Sequence, residues 1–430
     1  MFKKILKNQL IAGSFVLFVG SMFANFGSYL YHLLMGRMLG PVNYGVLTAL
    51  ISLLYIISIP ALTLATTIVK FASVAKAKKN YAKVYFLFYD FSRKLLVVSV
   101  IIFILFAFGS QVIAEFLQIP SRALIILTSS LFLISLLPTV NNGILQAFLN
   151  FPFLAANSIF GVILKLALAV GLVKLGFSVG GAMMAILISS LIIYLVSFFP
   201  LRFLWQYKQS LLLRNKQSLL LRNKGKVAKI DWSKITSYAA PVFLAVLGLT
   251  SLYTTDIILV KHFFPAFQAG LYAALAVMGK IIFFASNAVP MVMFPLVSER
   301  YENGGRYRPF LSQSLILVSG LSAGITGFYF LFPKFMINIL YGPSFLATSP
   351  YLGLFGIFIS LYTLSSVLTS FFLSIRKTRV AFFVLSAAIT QIALIWLFHA
   401  SILQVIQISI LVTTLLLFSL LLYYLKSEKG

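Results

Sequence analysis

The two halves of this 430-residue chain repeat each other, so one fold must satisfy both copies. Tyr29, His32, Arg37 and Pro41 in the first half match Tyr253, Asp256, Lys261 and Pro265 in the second at an offset of 224 residues; Gly45 matches Gly270 at 225. Ile113, Thr139 and Phe148 match Ile337, Thr363 and Phe372, again at 224. Both halves are almost continuously apolar. An even number of helices per half makes the repeat parallel, about an axis along the membrane normal. That is a transporter's plan, with the substrate path between the halves.

Hydrophobic residues make up 61% of the chain and charged residues 10%, more apolar surface than a soluble core of this length needs, so the solvent is a bilayer. The apolar runs read as twelve transmembrane helices, at 9–36, 42–69, 84–114, 122–148, 153–174, 178–204, 234–262, 267–297, 309–333, 346–373, 379–399 and 402–425. The expected architecture is an all-α membrane protein of two six-helix lobes. An N-lobe spans 1–204, a basic cytoplasmic linker 205–233, and a C-lobe 234–430. With both termini cytoplasmic, 27 of the 34 Lys and Arg fall on the inner side, as the positive-inside rule requires. The net charge of +27 is therefore a topology signal, and no nucleic-acid partner is expected. With no cysteine, disulfides and thiolate metal sites are excluded.

The first apolar run follows Lys3, Lys4 and Lys7 and lacks a small-residue cleavage site, so it reads as a retained helix. The linker carries QSLLLRNK at Gln209–Lys216 and again at Gln217–Lys224, a slippage duplication or a basic stretch lying on anionic headgroups. Pro60, Pro290 and Pro295 interrupt spans, where a missing N–H allows either a static kink or a hinge.

Charge at the bilayer midplane costs roughly 2.5–3.5 kcal/mol per residue on insertion scales, so an intramembrane ion must face protein or water. Lys165 and Lys280 land near mid-depth, Asp256 and His32 lie nearer the outer surface, and Arg37 and Lys261 close the outer ends of helices 1 and 7. Four cations against one deep acid make a region of surplus positive potential, suited to a phosphate or pyrophosphate. The bland alternative is that the lysines snorkel or pair with helix carbonyls and that Arg37 and Lys261 are interfacial anchors. Asp256 is a candidate coupling site for a proton or cation, as is His32 at a similar depth, unless Asp256 simply pairs with Lys261 or a neighbouring helix. Polar residues follow helical spacing around these charges: Ser21, Asn25, Ser28 and His32; Asn142, Gln146 and Asn150; Ser366, Thr369 and Ser370. Asn287 follows Lys280 by seven residues. Asn25, Asn142, Gln146 and Asn287 are candidate ligands for sugar hydroxyls, although such groups also hold helices together.

No paired carboxylates, Ser/His/Asp grouping, nucleotide loop or metal-ligand cluster is present, so neither an enzyme nor a cofactor is expected. Short outer loops leave no room for the catalytic ectodomain of a membrane glycosyltransferase or polymerase.

The segment Gly36-Arg-Met-Leu-Gly-Pro-Val-Asn-Tyr-Gly45 resembles the opening of prokaryotic polysaccharide biosynthesis flippases. These are the O-antigen and capsule repeat-unit translocases of the multidrug/oligosaccharidyl-lipid/polysaccharide exporter superfamily. Asp256-Ile-Ile-Leu-Val, Ala269-Gly-Leu-Tyr272, Leu340-Tyr-Gly342, Gly143-Ile-Leu-Gln146 and Gly180-Gly-Ala182 fit the same family in order and spacing. The resemblance implies a two-lobed bundle that flips a polyprenyl-pyrophosphate-linked oligosaccharide outward by alternating access, for cell-surface polysaccharide. Its partners would be that glycolipid, membrane lipids and a coupling cation or proton, in the cytoplasmic membrane of a prokaryote. It maps the family's helix 7 acid onto Asp256 and its helix 5 base onto Lys165, whereas the usual acid after the helix 7–8 proline is replaced by neutral Ala266-Phe-Gln268. The competing reading is a multidrug/cation antiporter of the same superfamily, whose cavity would need acids to hold cationic substrates.

Overall fold

The computed structural model describes residues 9–207 and 232–428, whose regular structure is entirely helical. Lys3, Lys4, Lys7 and both copies of QSLLLRNK lie outside the described residues. Helix underlies every one of the expected apolar runs. In lipid this is the open-chain solution, because each backbone N–H and C=O must find its partner within the segment.

Helix α1 (Gln9–Ala77) is continuous except at Gly40, whose φ of 69° and ψ of 173° lie in a region open essentially only to glycine. Pro41 follows, and a proline disfavours helical torsions in the residue before it. The same device recurs one repeat later. Helix α9 (Thr255–Phe263) ends before Phe264, which is extended at φ −108° and ψ 153° ahead of Pro265. Helix α10 (Ala266–Ser286) begins there.

Nine apolar stretches among the described residues are long enough to cross a membrane, or ten if Ala240–Leu252 and Thr255–Phe263, bent by 41°, form one span. The chain is a multi-pass membrane protein. Val19–Ala61 (43 residues) and Phe151–Val196 (46 residues) are each about twice the ~20 residues of one crossing. Each contains a positive-φ glycine, Gly40 or Gly176.

The described residues pack as two compact units. The first is drawn from Met1–Tyr31, Ile57–Glu115 and Pro120–Thr236. Its helices α2 (Tyr81–Phe108), α4 (Arg122–Ser135) and α7 (Ser178–Val196) pack in series, and α6 (Phe151–Leu172) lies against α7. Ala72, Val84, Phe91, Val140, Ile144 and Leu201 are among its buried core. A Cβ at Gly27 would sit 2.2 Å from Val162 Cγ1, so glycine lets α1 lie close to α6.

The second unit comprises His32–Ile56, Phe116–Ile119 and Ser237–Gly430. Its centre is α14 (Ser349–Ser374), packed by α10, α12 (Arg308–Leu331) and α16 (Ile402–Glu428). Helix α8 (Trp232–Leu252) leads into α9, and α11 (Ala288–Glu302) continues from α10. The break between α10 and α11 falls at Asn287. Pro290 has no N–H to offer the carbonyl of Ser286, so the ladder opens there. Two short helices follow long ones: α3 (Ser110–Phe116) after α2, and α13 (Pro333–Leu340) after α12.

Candidate functional site

Asp256 sits in the first turn of α9, just past the bend, where the free N–H groups of a helix start favour negative charge. It is 1% exposed. Oδ1 accepts the Ile257 N–H at 2.9 Å, and Oδ2 accepts the Tyr272 hydroxyl at 2.6 Å from α10. The pairing with Lys261 weighed from the sequence does not form. Five residues apart on one helix, the two side chains point to different faces. Lys261 instead donates to the Gln118 carbonyl at 3.2 Å.

Lys280, on the following helix α10, makes no ion pair with Asp256. Lys280 is 7% exposed, and its Nζ lies 4.9 Å from the Tyr55 ring centroid and 5.3 Å from that of Tyr253. Aromatic faces carry negative potential and hold a desolvated ammonium by about 2 kcal/mol or more, without neutralising it. Tyr253 packs in turn on Phe283 and Tyr362, which fixes the box. The result is a buried primary amine on tyrosine faces, with a carboxylate nearby that is itself committed to Tyr272.

Lys165 in the first unit follows the same pattern. It rises from α6, donates to Ser28 Oγ at 3.2 Å and lies 4.9 Å from the Tyr31 ring centroid. Tyr31 is itself buried and donates to the Ala182 carbonyl at 3.0 Å. Among the described residues Lys165 has no carboxylate partner.

Arg37 and Lys261 are occupied differently. Arg37 is exposed, and its Nε donates to the Leu340 carbonyl at 3.0 Å. Its second nitrogen reaches the carbonyls of Asn338, at 3.4 Å, and Ile339. These are the last carbonyls of α13, where a helix end attracts cations. Lys261 is 1% exposed and holds the single carbonyl of Gln118.

His32 is buried and hydrogen-bonded through Nδ1 to the Tyr44 hydroxyl at 3.3 Å, and Tyr44 meets the Tyr341 hydroxyl at 3.0 Å. Asn25, Asn142 and Gln146 are exposed, and Asn287 is half-buried at the α10–α11 break. The hydroxyl stripe of α14 is turned inward. Thr363, Ser365, Ser366 and Thr369 donate to their own helix's carbonyls at 2.6–2.9 Å.

Sequence spacing gave no warning of Tyr272, Tyr55 or Gln118. Tyrosine is common in this chain (20 residues) and the partners come from other helices, so no local pattern marks them. Only the repeat could have pointed to Tyr253, since it matches Tyr29. Among the described residues no group of His and acidic side chains could hold a metal ion.

The chain belongs to a family of polysaccharide biosynthesis proteins, whose model matches residues 34–350. Comparison with curated proteins returned no match. Among solved structures, it is similar to an inward-facing multidrug resistance MATE family transporter of the MOP superfamily. That likeness has a TM-score of 0.70 and 13% identity, covering 93% of this chain and 95% of the other. It is also similar to the lipid II flippase MurJ in an inward closed conformation (TM-score 0.68, 14% identity, 96% and 88% covered). A MATE transporter from Vibrio cholerae matches with a TM-score of 0.65 and 13% identity, 99% and 97% covered. At these identities the likeness defines the fold, which the chain shares with both multidrug transporters and a lipid II flippase.

Proposed function

We propose that the protein flips a polyprenyl-pyrophosphate-linked oligosaccharide across the cytoplasmic membrane of a prokaryote, by alternating access and without catalysis or a cofactor. The observation that carries this reading is the family match over residues 34–350, on a fold shared with a lipid II flippase. The electrostatics support the anionic character of the cargo. Lys165 and Lys280 are amines on tyrosine faces with no ion-pair partner among the described residues, and a diphosphate offers each a charge-assisted bond. Asn25, Asn142, Gln146 and Asn287 supply amides suited to sugar hydroxyls. Arg37 and Lys261 reach a substrate only after leaving their carbonyls.

Splitting the two double-length apolar stretches at Gly40 and Gly176 brings the count of crossings from ten to twelve. In this reading the lobes are 1–204 and 234–430, joined by the 205–233 linker, with both termini cytoplasmic. Asp256, with His32, is the coupling group for a proton or cation.

In vesicles reconstituted with labelled lipid-linked glycan, Lys165→Ala and Lys280→Ala each abolish movement at normal membrane abundance. Unimpaired movement in both variants refutes the anion site. The fold likeness to MATE transporters favours one second reading, a gradient-coupled cation antiporter. Efflux of cationic dyes from the same vesicles, with no glycan movement, would establish it instead. Asp256→Asn keeps an acceptor for Tyr272 and removes the charge. Under the coupling assignment it transports without pH or cation dependence; a dependence identical to wild type rejects that role.

A further inference from the structure

The contacts of Arg37 and Lys261 are related by the repeat. The two residues are one position counted twice, 224 apart. Their acceptors lie close to matched places, Gln118 falling two residues beyond the position equivalent to Leu340. Arg37 holds the carbonyls of Asn338, Ile339 and Leu340 at the end of α13, and Lys261 holds that of Gln118 just beyond α3. Shifted by 224, α3 (Ser110–Phe116) falls on 334–340, within α13. Arg37, at the end of one half's first apolar run, therefore grips the last turn of the short helix in the other half, and Lys261 grips the turn that leaves the corresponding helix.

Three further observations converge on the same end of the chain's fold. Gln118 returns a bond from its Nε2 to the His262 carbonyl at 2.6 Å, and His262 Nδ1 meets the Phe116 carbonyl at 2.6 Å while its ring stacks on Phe116 at 4.0 Å. On the other side, Tyr341 follows the Arg37-bound carbonyls, packs on Gly36 and bonds to Tyr44. Finally, His32–Ile56 and Phe116–Ile119 are the two pieces of the first half that pack with the second half as one unit, and they carry these contacts.

We infer that Arg37 and Lys261 are a reciprocal pair of clamps that hold the two sequence halves together at this end, and that both must release before the halves part there. Hydrogen bonds to neutral carbonyls suit that task, because each can be exchanged for water without stranding a carboxylate. An ion pair in the same place would be harder to open and would cancel the positive field. The consequence for transport rests on the flippase reading, but the clamp itself can be read without any substrate.

The native chain has no cysteine, so reporter thiols are unambiguous. Val42→Cys and Phe267→Cys place spin labels on two exposed positions, three residues before the touching Gly45 and Gly270. Distances between the labels are measured by pulsed electron paramagnetic resonance in nanodiscs without glycolipid. On this background Arg37→Gln with Lys261→Gln shifts the population to longer distances, and each single substitution shifts it part of the way. Arg37→Lys keeps the charge but loses the fork that spans three carbonyls, and it also lengthens the distances. It serves as the deciding variant should the double substitution elute as aggregate. Distances unchanged in folded variants overturn the clamp, whatever the vesicle assay gives. Longer distances in a protein that moves no glycolipid would uphold the clamp and refute the substrate instead.

Discussion

Gly45 and Gly270 show how little room a residue can be given. A Cβ on Gly270 would lie 1.8 Å from the Pro41 carbonyl oxygen and 2.3 Å from its carbon, and one on Gly45 would lie 2.8 Å from the Gly270 nitrogen. The obstacle is backbone in both cases, so no side chain can rotate away. Gly270→Ala is expected to cost about 1–3 kcal/mol by overpacking, seen as a lower midpoint in thermal unfolding monitored by size-exclusion fluorescence. An alanine variant as stable as wild type would mean that the segments do not approach so closely. Individual polar residues were legible in the sequence to unequal degrees. The buried charges Asp256, Lys261 and Lys280 stood out because ions are rare in an apolar chain. What each would touch did not, since their partners lie on other segments. The hydroxyls of Ser366 and Thr369 matched a ligand stripe by spacing, yet a hydroxyl in a helix can satisfy itself on the preceding turn, and these do.

Elements were read well where proline or glycine punctuates the pattern and less well where it does not. The expected boundary between runs 9–36 and 42–69 falls at Gly40–Pro41, and that between 234–262 and 267–297 falls at Phe264–Pro265. The bend between α8 and α9 was missed. Tyr253 and Thr254 are ordinary span residues by composition, and nothing in the local sequence announces a non-helical turn there. Its effect is large, because it turns a position inside an apolar run into a helix start and so gives Asp256 its N-terminal site. Pro290 gives the α10–α11 break a physical cause. Pro290→Ala restores the N–H that would complete the ladder to Ser286, so the two helices should run on as one. If that break is a hinge, glycan movement falls several-fold at unchanged abundance; transport at the wild-type rate would make it a static kink.

At the scale of the whole molecule, the repeat was the most informative thing in the sequence, and the structure uses it at specific contacts rather than as general resemblance. Arg37 engages the end of one short helix and Lys261 the turn just past the equivalent helix of the other half. Length and hydropathy give nine or ten crossings among the described residues, and two of those helical runs continue past a positive-φ glycine without losing their apolar character. The first half also contributes His32–Ile56 and Phe116–Ile119 to the compact unit built on the second. A fragment beginning at 234 would lack both, including the acceptor of Lys261 and the Tyr55 face over Lys280. Expressed alone, it is expected to aggregate or be degraded, and to be rescued by co-expression of residues 1–233. Recovery of a stable, monodisperse fragment on its own would contradict that interdependence.

The meeting of Gly45 with Gly270 has an ancestral implication. Because the touching glycines are copies of one position, the contact is of the isologous kind that joins identical subunits in a two-fold dimer. A half-length precursor could have made it with a twin before gene fusion tied the pair together, and each later substitution at that spot would have had to fit against its own counterpart.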